Sequence, residues 1–245
     1  MKVRIDKLLV ERGLAGSRER AQALVLGGRV LVNGQKVQKA GAAVDAEAEI
    51  RVLGGDLRYV SRGGLKLEAA LHHWNVEVDG MVCMDVGAST GGFTDCLLQH
   101  GAARVIAVDT GYGQIDLRLR QDPRVRLLEK TNARYLQPED IGEAVDLVVM
   151  DVAFISATQV LPAVVASAFP DPAGKRVIVL VKPQFEVGRQ RVGKGGIVRD
   201  EAAQAEAVEK VRSKLRELGC RQPEVMNSPI LGAEGNREFL LYGVF

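Results

Sequence analysis

Cysteine is scarce. The three thiols, Cys83, Cys96 and Cys220, stand far apart in apolar surroundings in a chain of 245 residues. That excludes a disulfide framework or a CxxC metal site and points to a reducing compartment. Long apolar runs are missing too: none reaches the roughly 18 residues a membrane span needs. The longest are strand-length pieces such as Arg176 to Lys182. The opening Met1-Lys-Val-Arg-Ile-Asp6 lacks the apolar stretch of a secretion signal, so a cytoplasmic protein is expected. Histidine is rare. His72, His73 and His100 show no ligand-like spacing and follow apolar helical patterns, so no metal is expected. The single tryptophan, Trp74, reads as a packing residue.

What is abundant is apolar content, at 47%, and glycine, at 27 residues. Together they suit a soluble α/β protein with one sizeable core, a small satellite domain and loops that pass close to a ligand. The net charge of +2 is unevenly spread. Residues 1–39 hold nine Lys/Arg against three Asp/Glu, a net of +6, which leaves −4 for the rest. A polyanion meets the N-terminal part first.

That part reads as two short helices and a hairpin. Ile5, Leu8, Leu9 and Leu14 give a helical face closed by Gly13. Ser17 can cap a second helix carrying Ala21, Leu24 and Val25, which Gly27-Gly28 stops. Alternating apolar residues flank Asn33-Gly34, a pair that accepts the positive φ angles of a type I′ turn. Ile50 and Val52 complete a small sheet. Lys7, Arg12, Arg18, Arg20, Arg29, Lys36 and Lys39 make this a basic platform able to contact phosphates with little base specificity. The element order and Ser17-Arg-Glu-Arg-Ala-Gln22 resemble the S4 RNA-binding domain. The expected division is an S4-like domain at 1–56, a linker at 57–60 and a catalytic domain at 61–245, with Gly54-Gly55-Asp56 breaking the chain at the joint.

From Val82 an apolar strand enters the turn Asp85-Val-Gly87-Ala-Ser-Thr-Gly91-Gly92, followed by a helix from Phe93 to Gln99. The spacing differs from the GxGxxG that cradles a pyrophosphate. It suits a cofactor with a cationic amino-acid end, because Asp85 repels phosphate and can help hold a methionyl ammonium. A second strand ends on Asp109, 17 residues after Gly92, where an acid can accept both hydroxyls of a ribose. S-adenosylmethionine is therefore expected as cofactor, leaving as S-adenosylhomocysteine, in a mostly parallel Rossmann-like α/β sheet. Its candidate site begins with Ser61 and the turn residues Asp85, Gly87, Ala88, Ser89, Gly91, Gly92 and Phe93. Asp109 with Thr110, Asn132 with Ala133 toward an adenine edge, and Asp151 extend it. Asp85, Asp109, Asp151 and Lys182 all fall at strand ends, where such sheets bind ligands.

Several stretches are similar to one family. Ser61-Arg-Gly-Gly-Leu-Lys66, Asp85 to Thr94, Asp151-Val-Ala-Phe-Ile-Ser156, Lys182-Pro-Gln-Phe-Glu186 and Asn236-Arg-Glu238 resemble the TlyA family across essentially the whole chain. Those proteins are similar to FtsJ-type ribose 2′-O-methyltransferases and carry an S4 domain in front. They are often labelled haemolysins, a name this sequence gives little physical reason to adopt. The resemblance implies a Lys-Asp-Lys-Glu tetrad at Lys66, Asp151, Lys182 and Glu238. A ribose hydroxyl is a poor nucleophile at neutral pH, so Lys182 is expected to act as base if Lys66 and desolvation lower its pKa. Asp151 would orient Lys182, and Glu238 with Lys66 would fix the geometry. From spacing alone, Asn236-Arg-Glu238 also reads as a cap of the last strand. The resemblance further implies cytidine in ribosomal RNA. Longer members modify both subunits and shorter ones the large subunit, and this chain, running from an S4 helix near Met1 to Phe245, is expected to act on the large one. Leu57-Arg-Tyr-Val60 replaces the Arg-Ala-Trp-Val of longer members, which puts the domain coupling in question.

Arg189, Arg191, Lys194 and Arg199, set among four glycines after Lys182, are expected to form a mobile RNA clamp, with Arg62 and Arg134 extending the footprint. Two rivals remain at this point: another S4-bearing RNA modifier such as a pseudouridine synthase, and a non-catalytic RNA-binding or assembly factor that senses S-adenosylmethionine. The first needs no Asp85 turn; the complete tetrad argues against the second.

Overall fold

The computed structural model describes residues 2–15, 17–53, 58–232 and 234–245. The expected breaking point Gly54-Gly55-Asp56, with Leu57 of the linker, lies outside them. The chain forms two compact units, Met1–Arg58 and Tyr59–Phe245.

In the first unit β1 (Lys2–Arg4) pairs antiparallel with β4 (Ala43–Asp45). Strand β2 (Val30–Val32) lies between β3 (Gln35–Lys36) and β5 (Ile50–Val52). Asn33 and Gly34 take φ of 49° and 78°, the pair of positive angles that a tight hairpin requires. Helix α1 (Ile5–Glu11) packs on α2 (Arg18–Leu26). Ser17 Oγ accepts the Arg20 N–H at 3.2 Å and so caps α2. Ile5, Leu9, Ala21, Leu24, Val25 and Val30 are buried together as the core. Each such side chain withdrawn from water contributes about 1.5–3 kcal/mol for the larger aliphatics.

The second unit runs α3 (Gly63–His73), β6 (Val82–Val86), α4 (Gly92–Gln99), β7 (Arg104–Val108), α5 (Leu117–Gln121), β8 (Val125–Leu128) and α6 (Pro138–Ile141). It continues through β9 (Leu147–Met150), α7 (Ala157–Ala168), β10 (Arg176–Val181), α8 (Pro183–Glu186), α9 (Glu201–Glu217), β11 (Arg221–Asn227) and β12 (Phe239–Val244). The strands lie in the order β11-β12-β10-β9-β6-β7-β8. Strand β12 runs antiparallel to both neighbours, and the other pairings are parallel. This is the Rossmann-like sheet expected.

Alternation along the central strands explains the two layers. Met84, Val86, Val148 and Met150 face one side, where Leu161 and Val164 of α7 and Val211 and Leu215 of α9 cover them. Cys83, Leu147 and Val149 face the other, under Leu67 and Leu71 of α3 and Cys96 and Leu97 of α4. With both faces covered, the strands read as continuous apolar runs. Chain order reverses at β6, which has β7 on one side and β9 on the other, and this opens a crevice beyond the strand ends. Among the described residues, no helix is long and apolar enough to cross a membrane.

Candidate active site

Two adjoining clefts, of about 290 and 370 Å³, occupy that crevice and share Gly87, Ser89, Asp151 and Ala153. Asp109 follows the last residue of β7 and lines the larger cleft with Thr110, Asn132, Ala133, Val152 and Ile155. Its carboxylate accepts the Ser89 N–H at 2.8 Å on Oδ2 and the Gly111 N–H at 2.6 Å on Oδ1. These two bonds aim the carboxylate and leave lone pairs for hydroxyl donors. The smaller cleft is lined by Ser61, Arg62, Lys66, Ala88, Gly92, Phe93, Asp151 and Lys182.

The glycine turn needs its glycines for two different reasons. Gly87 has φ of 85°, and a Cβ there would stand 2.5 Å from Asp151 O, so strand end β9 passes directly against it. Gly91 has φ of 93°, and its Cβ would meet Leu119 Cδ1 at 2.3 Å. Gly91 lines neither cleft, and its missing side chain lets the turn pack on α5. Asp85 also departs from expectation. It is fully buried, lines neither cleft, and its Oδ2 takes the Thr94 hydroxyl at 2.6 Å. Strand alternation is the reason, since Asp85 lies on the same face as Cys83, beneath α4. Its Oδ1 has no hydrogen-bond partner among the described residues. Burial, opposed by the Thr94 bond and reinforced by Asp151 and Asp109, pushes its carboxyl up to about 7.

Strands β9 and β10 are parallel neighbours, so the residues just beyond them meet: Lys182 Nζ lies 2.5 Å from Asp151 Oδ1. The contact is an ion pair without the alignment of a hydrogen bond, and Asp151 Oδ1 keeps no aligned donor. Lys66, on the buried face of α3, pairs with Glu238 at 2.5 Å, their side chains 10% and 3% exposed. Glu238 stands immediately before β12 and sits behind Lys66.

The sequence assigned no individual role to other parts of the site. Ile230 and Leu231 wall the smaller cleft. Phe154, 93% exposed with φ of 64°, stands three residues past Asp151 with its ring centre 5.4 Å from that of Phe185. Glu186 is buried and accepts the Ser156 hydroxyl at 2.5 Å and the Ala157 N–H at 2.7 Å. It thereby clips the segment after Lys182 to the start of α7, where a negative charge is favoured.

The expected phosphate contacts divide. Arg18 pairs with buried Asp6 at 3.0 Å, Arg12 donates to the carbonyls of Ala46 and Ala48, and Arg29 donates to Leu53 O. Arg191 pairs with Asp200 and Glu206. Those four guanidiniums also serve the fold, since part of each one's set of five donors is taken by a neighbouring acceptor. Arg20 also has a partner within the protein. Lys7, Lys36, Arg62, Arg134, Arg189 and Lys194 are exposed.

The FtsJ-like methyltransferase family model matches residues 59–245, and the S4 domain model matches residues 3–50. The chain is 48% identical over 242 residues to the 16S/23S rRNA (cytidine-2′-O)-methyltransferase TlyA of Mycobacterium tuberculosis, covering 98% of this chain and 89% of that one. It is 36% identical over 185 residues to the 23S rRNA (cytidine-2′-O)-methyltransferase TlyA of Campylobacter jejuni, covering 75% and 70%. A solved structure from Streptococcus thermophilus, described as a candidate hemolysin, is similar at 43% identity and a TM-score of 0.76, covering 99% of this chain and 88% of that one.

Proposed function

Because the chain belongs to the FtsJ-like methyltransferases, and within them to the S4-bearing TlyA family, we propose that it methylates the ribose 2′-hydroxyl of a cytidine in ribosomal RNA, in the large subunit. The observation that carries the chemistry is the convergence of the Lys182–Asp151 and Lys66–Glu238 pairs on the cleft that the glycine turn borders. The large subunit is favoured because 23S rRNA stands in the names of both relatives compared.

The enzyme uses S-adenosylmethionine, and the donor set of the two clefts fits it. Asp109 offers acceptors for ribose hydroxyls, Asn132 and the apolar wall of Val152 and Ile155 suit an adenine, and Ser61 and Ser89 offer polar atoms for the amino-acid end. When bound, the cofactor supplies an electrophilic methyl on a sulfonium. Lys182 Nζ, once it has given up a proton and stands as the neutral amine, takes the 2′-hydroxyl proton as the oxygen attacks, and Asp151 holds Lys182 at the edge both clefts share. Lys66, held by Glu238, orients the sugar. Placing the hydroxyl in line supplies much of the rate, because bimolecular encounter becomes a fixed geometry.

The test is transfer of labelled methyl to unmodified large and small subunits, with nuclease mapping. Label on large-subunit ribose, resistant to alkaline cleavage and lowered about 10²–10⁴-fold in Lys182→Ala, is expected. Label confined to the small subunit would overturn the subunit choice. No transfer to either subunit or to free RNA, with cofactor still bound, would overturn the substrate.

A further inference from the structure

Helices α3 and α4 lie side by side on one face of the sheet, and at one place their side chains meet in a way that neither cleft uses. Glu68 and His72 stand four residues apart on α3, on the same face of successive turns. His100, which ends α4, comes to them, and one ligand atom from each of the three lies within 4.8 Å of the others. We propose that Glu68, His72 and His100 form a site for a divalent transition metal, zinc by class, separate from the methyl-transfer centre.

The chemistry of the three groups selects the metal. Two imidazoles and a carboxylate are a zinc donor set, whereas magnesium and calcium prefer oxygen alone. Zinc holds nitrogen at about 2.0–2.1 Å, so the three groups, whose ligand atoms lie within 4.8 Å of one another, would draw in around it. The second observation concerns tautomer. His100 Nδ1 lies 2.8 Å from Cys96 O, and a carbonyl can only accept, so the proton sits on Nδ1. The lone pair is then on Nε2, on the far side of the ring. A ligating histidine that donates its other N–H to a backbone carbonyl is the usual supporting arrangement at metal sites. The His72 and His100 rings meet edge to face, with centres 6.0 Å apart and planes at 88°, so they do not stack.

Access and charge agree with this reading. The two histidines open onto a cleft of about 330 Å³ that Asn75, Glu77 and Asp79 also line. It has room for a water in the fourth position, and its acidic members favour a cation. Lys66 lies two residues before Glu68, which places it well round the helix from the cluster. The metal would tie α3 to the end of α4 and would touch no group in the methyl-transfer cleft. In the sequence His72 and His100 stand 28 positions apart, and only the packing of α3 on α4 joins them.

Tag-free protein stripped with EDTA is titrated with zinc chloride by calorimetry, and its melting is followed with and without zinc. One equivalent is expected to bind. At hundredfold saturation the melting temperature is expected to rise by about 5 °C or more. Cobalt(II) should give the visible absorption of a low-symmetry nitrogen and oxygen site, and magnesium should give no heat. His72→Ala and His100→Ala should each weaken zinc by about tenfold or more, while melting like the parent in EDTA. Because His72 is exposed, its variant keeps the fold, so lost binding there reads the ligand alone. Absence of saturable binding at micromolar zinc, or one-site binding that survives both substitutions, would overturn the site. Methyl transfer is read independently, and its failure would leave the zinc result standing.

Discussion

Asp6 and Asp85 are both fully buried, yet their surroundings push their protons in opposite directions. The Arg4 hydrogen bond outweighs desolvation at Asp6, and Gln22 and Arg18 add to it, so that carboxyl is held far below the usual range. Asp85 has only the Thr94 hydroxyl against its burial and is pushed up to about 7. A carboxyl raised in the folded state contributes stability that is complete below its unfolded pKa and lost as pH rises through about 7. For the cofactor-free enzyme, the melting temperature of Asp85→Asn relative to wild type is therefore expected to climb between pH 5 and pH 8. An offset equal at both pH values would show that Asp85 does not titrate in that window. At Gly87 the constraint is steric. Gly87→Ala puts a methyl 2.5 Å from Asp151 O at a φ of 85°. Strain of about 1–3 kcal/mol is expected to weaken cofactor affinity by about tenfold or more, as calorimetry would read.

One element departs from its expected behaviour as a free clamp. The segment after Lys182 forms short 3₁₀ turns at Arg189–Arg191 and Lys194–Gly196. Buried Asn236 anchors it: Asn236 Oδ1 accepts the Val198 N–H at 2.9 Å and its Nδ2 donates to Gly196 O at 2.8 Å. Gln204 Nε2 adds a bond to Val198 O. Asn236→Ala leaves a buried N–H without its acceptor, at a cost of about 1–3 kcal/mol. Hydrogen exchange is expected to accelerate over residues 193–198 while β10 stays protected; equal protection throughout would refute the anchor. Sequence reasoning reached the local features of such elements, because the Ser17 cap and the Asn33-Gly34 turn depend on a few adjacent residues. It also reached the nearness of Asp151 and Lys182, since parallel strands end together. Lys66 and Glu238 are 172 positions apart, and only the family resemblance placed them in one set. The inward turn of Asp85 was not legible because strands covered on both faces carry no polar alternation to show which side a residue takes.

At the scale of the molecule, both large apolar clusters lie wholly within residues 59–245, and the first unit keeps a small core of its own. Cofactor binding therefore belongs to the second unit, and charge to the first. Residues 1–58 carry eleven Lys/Arg against seven Asp/Glu, so the remainder is net negative by two. Several cations in the first unit already hold partners within it. Arg4 and Arg18 are committed to Asp6, and Arg12 and Arg29 to backbone carbonyls. Lys7, Lys36 and Lys39 are exposed and form no ion pair with another described residue. If these three contact phosphate, each releases about 0.7–0.9 of a counterion, so the salt slope of RNA binding should be steeper in the full chain by about 2–3. A fragment of residues 59–245 is expected to melt cooperatively and to bind S-adenosylmethionine as the full chain does, while losing that part of the slope. Replacing these lysines in the full chain (Lys7→Gln, Lys36→Gln and Lys39→Gln together) should reproduce the fragment's slope. If the triple variant keeps the full-chain slope, phosphate contact lies with Arg62, Arg134, Arg189 and Lys194 of the catalytic unit, and the basic first unit holds RNA by something other than these lysines.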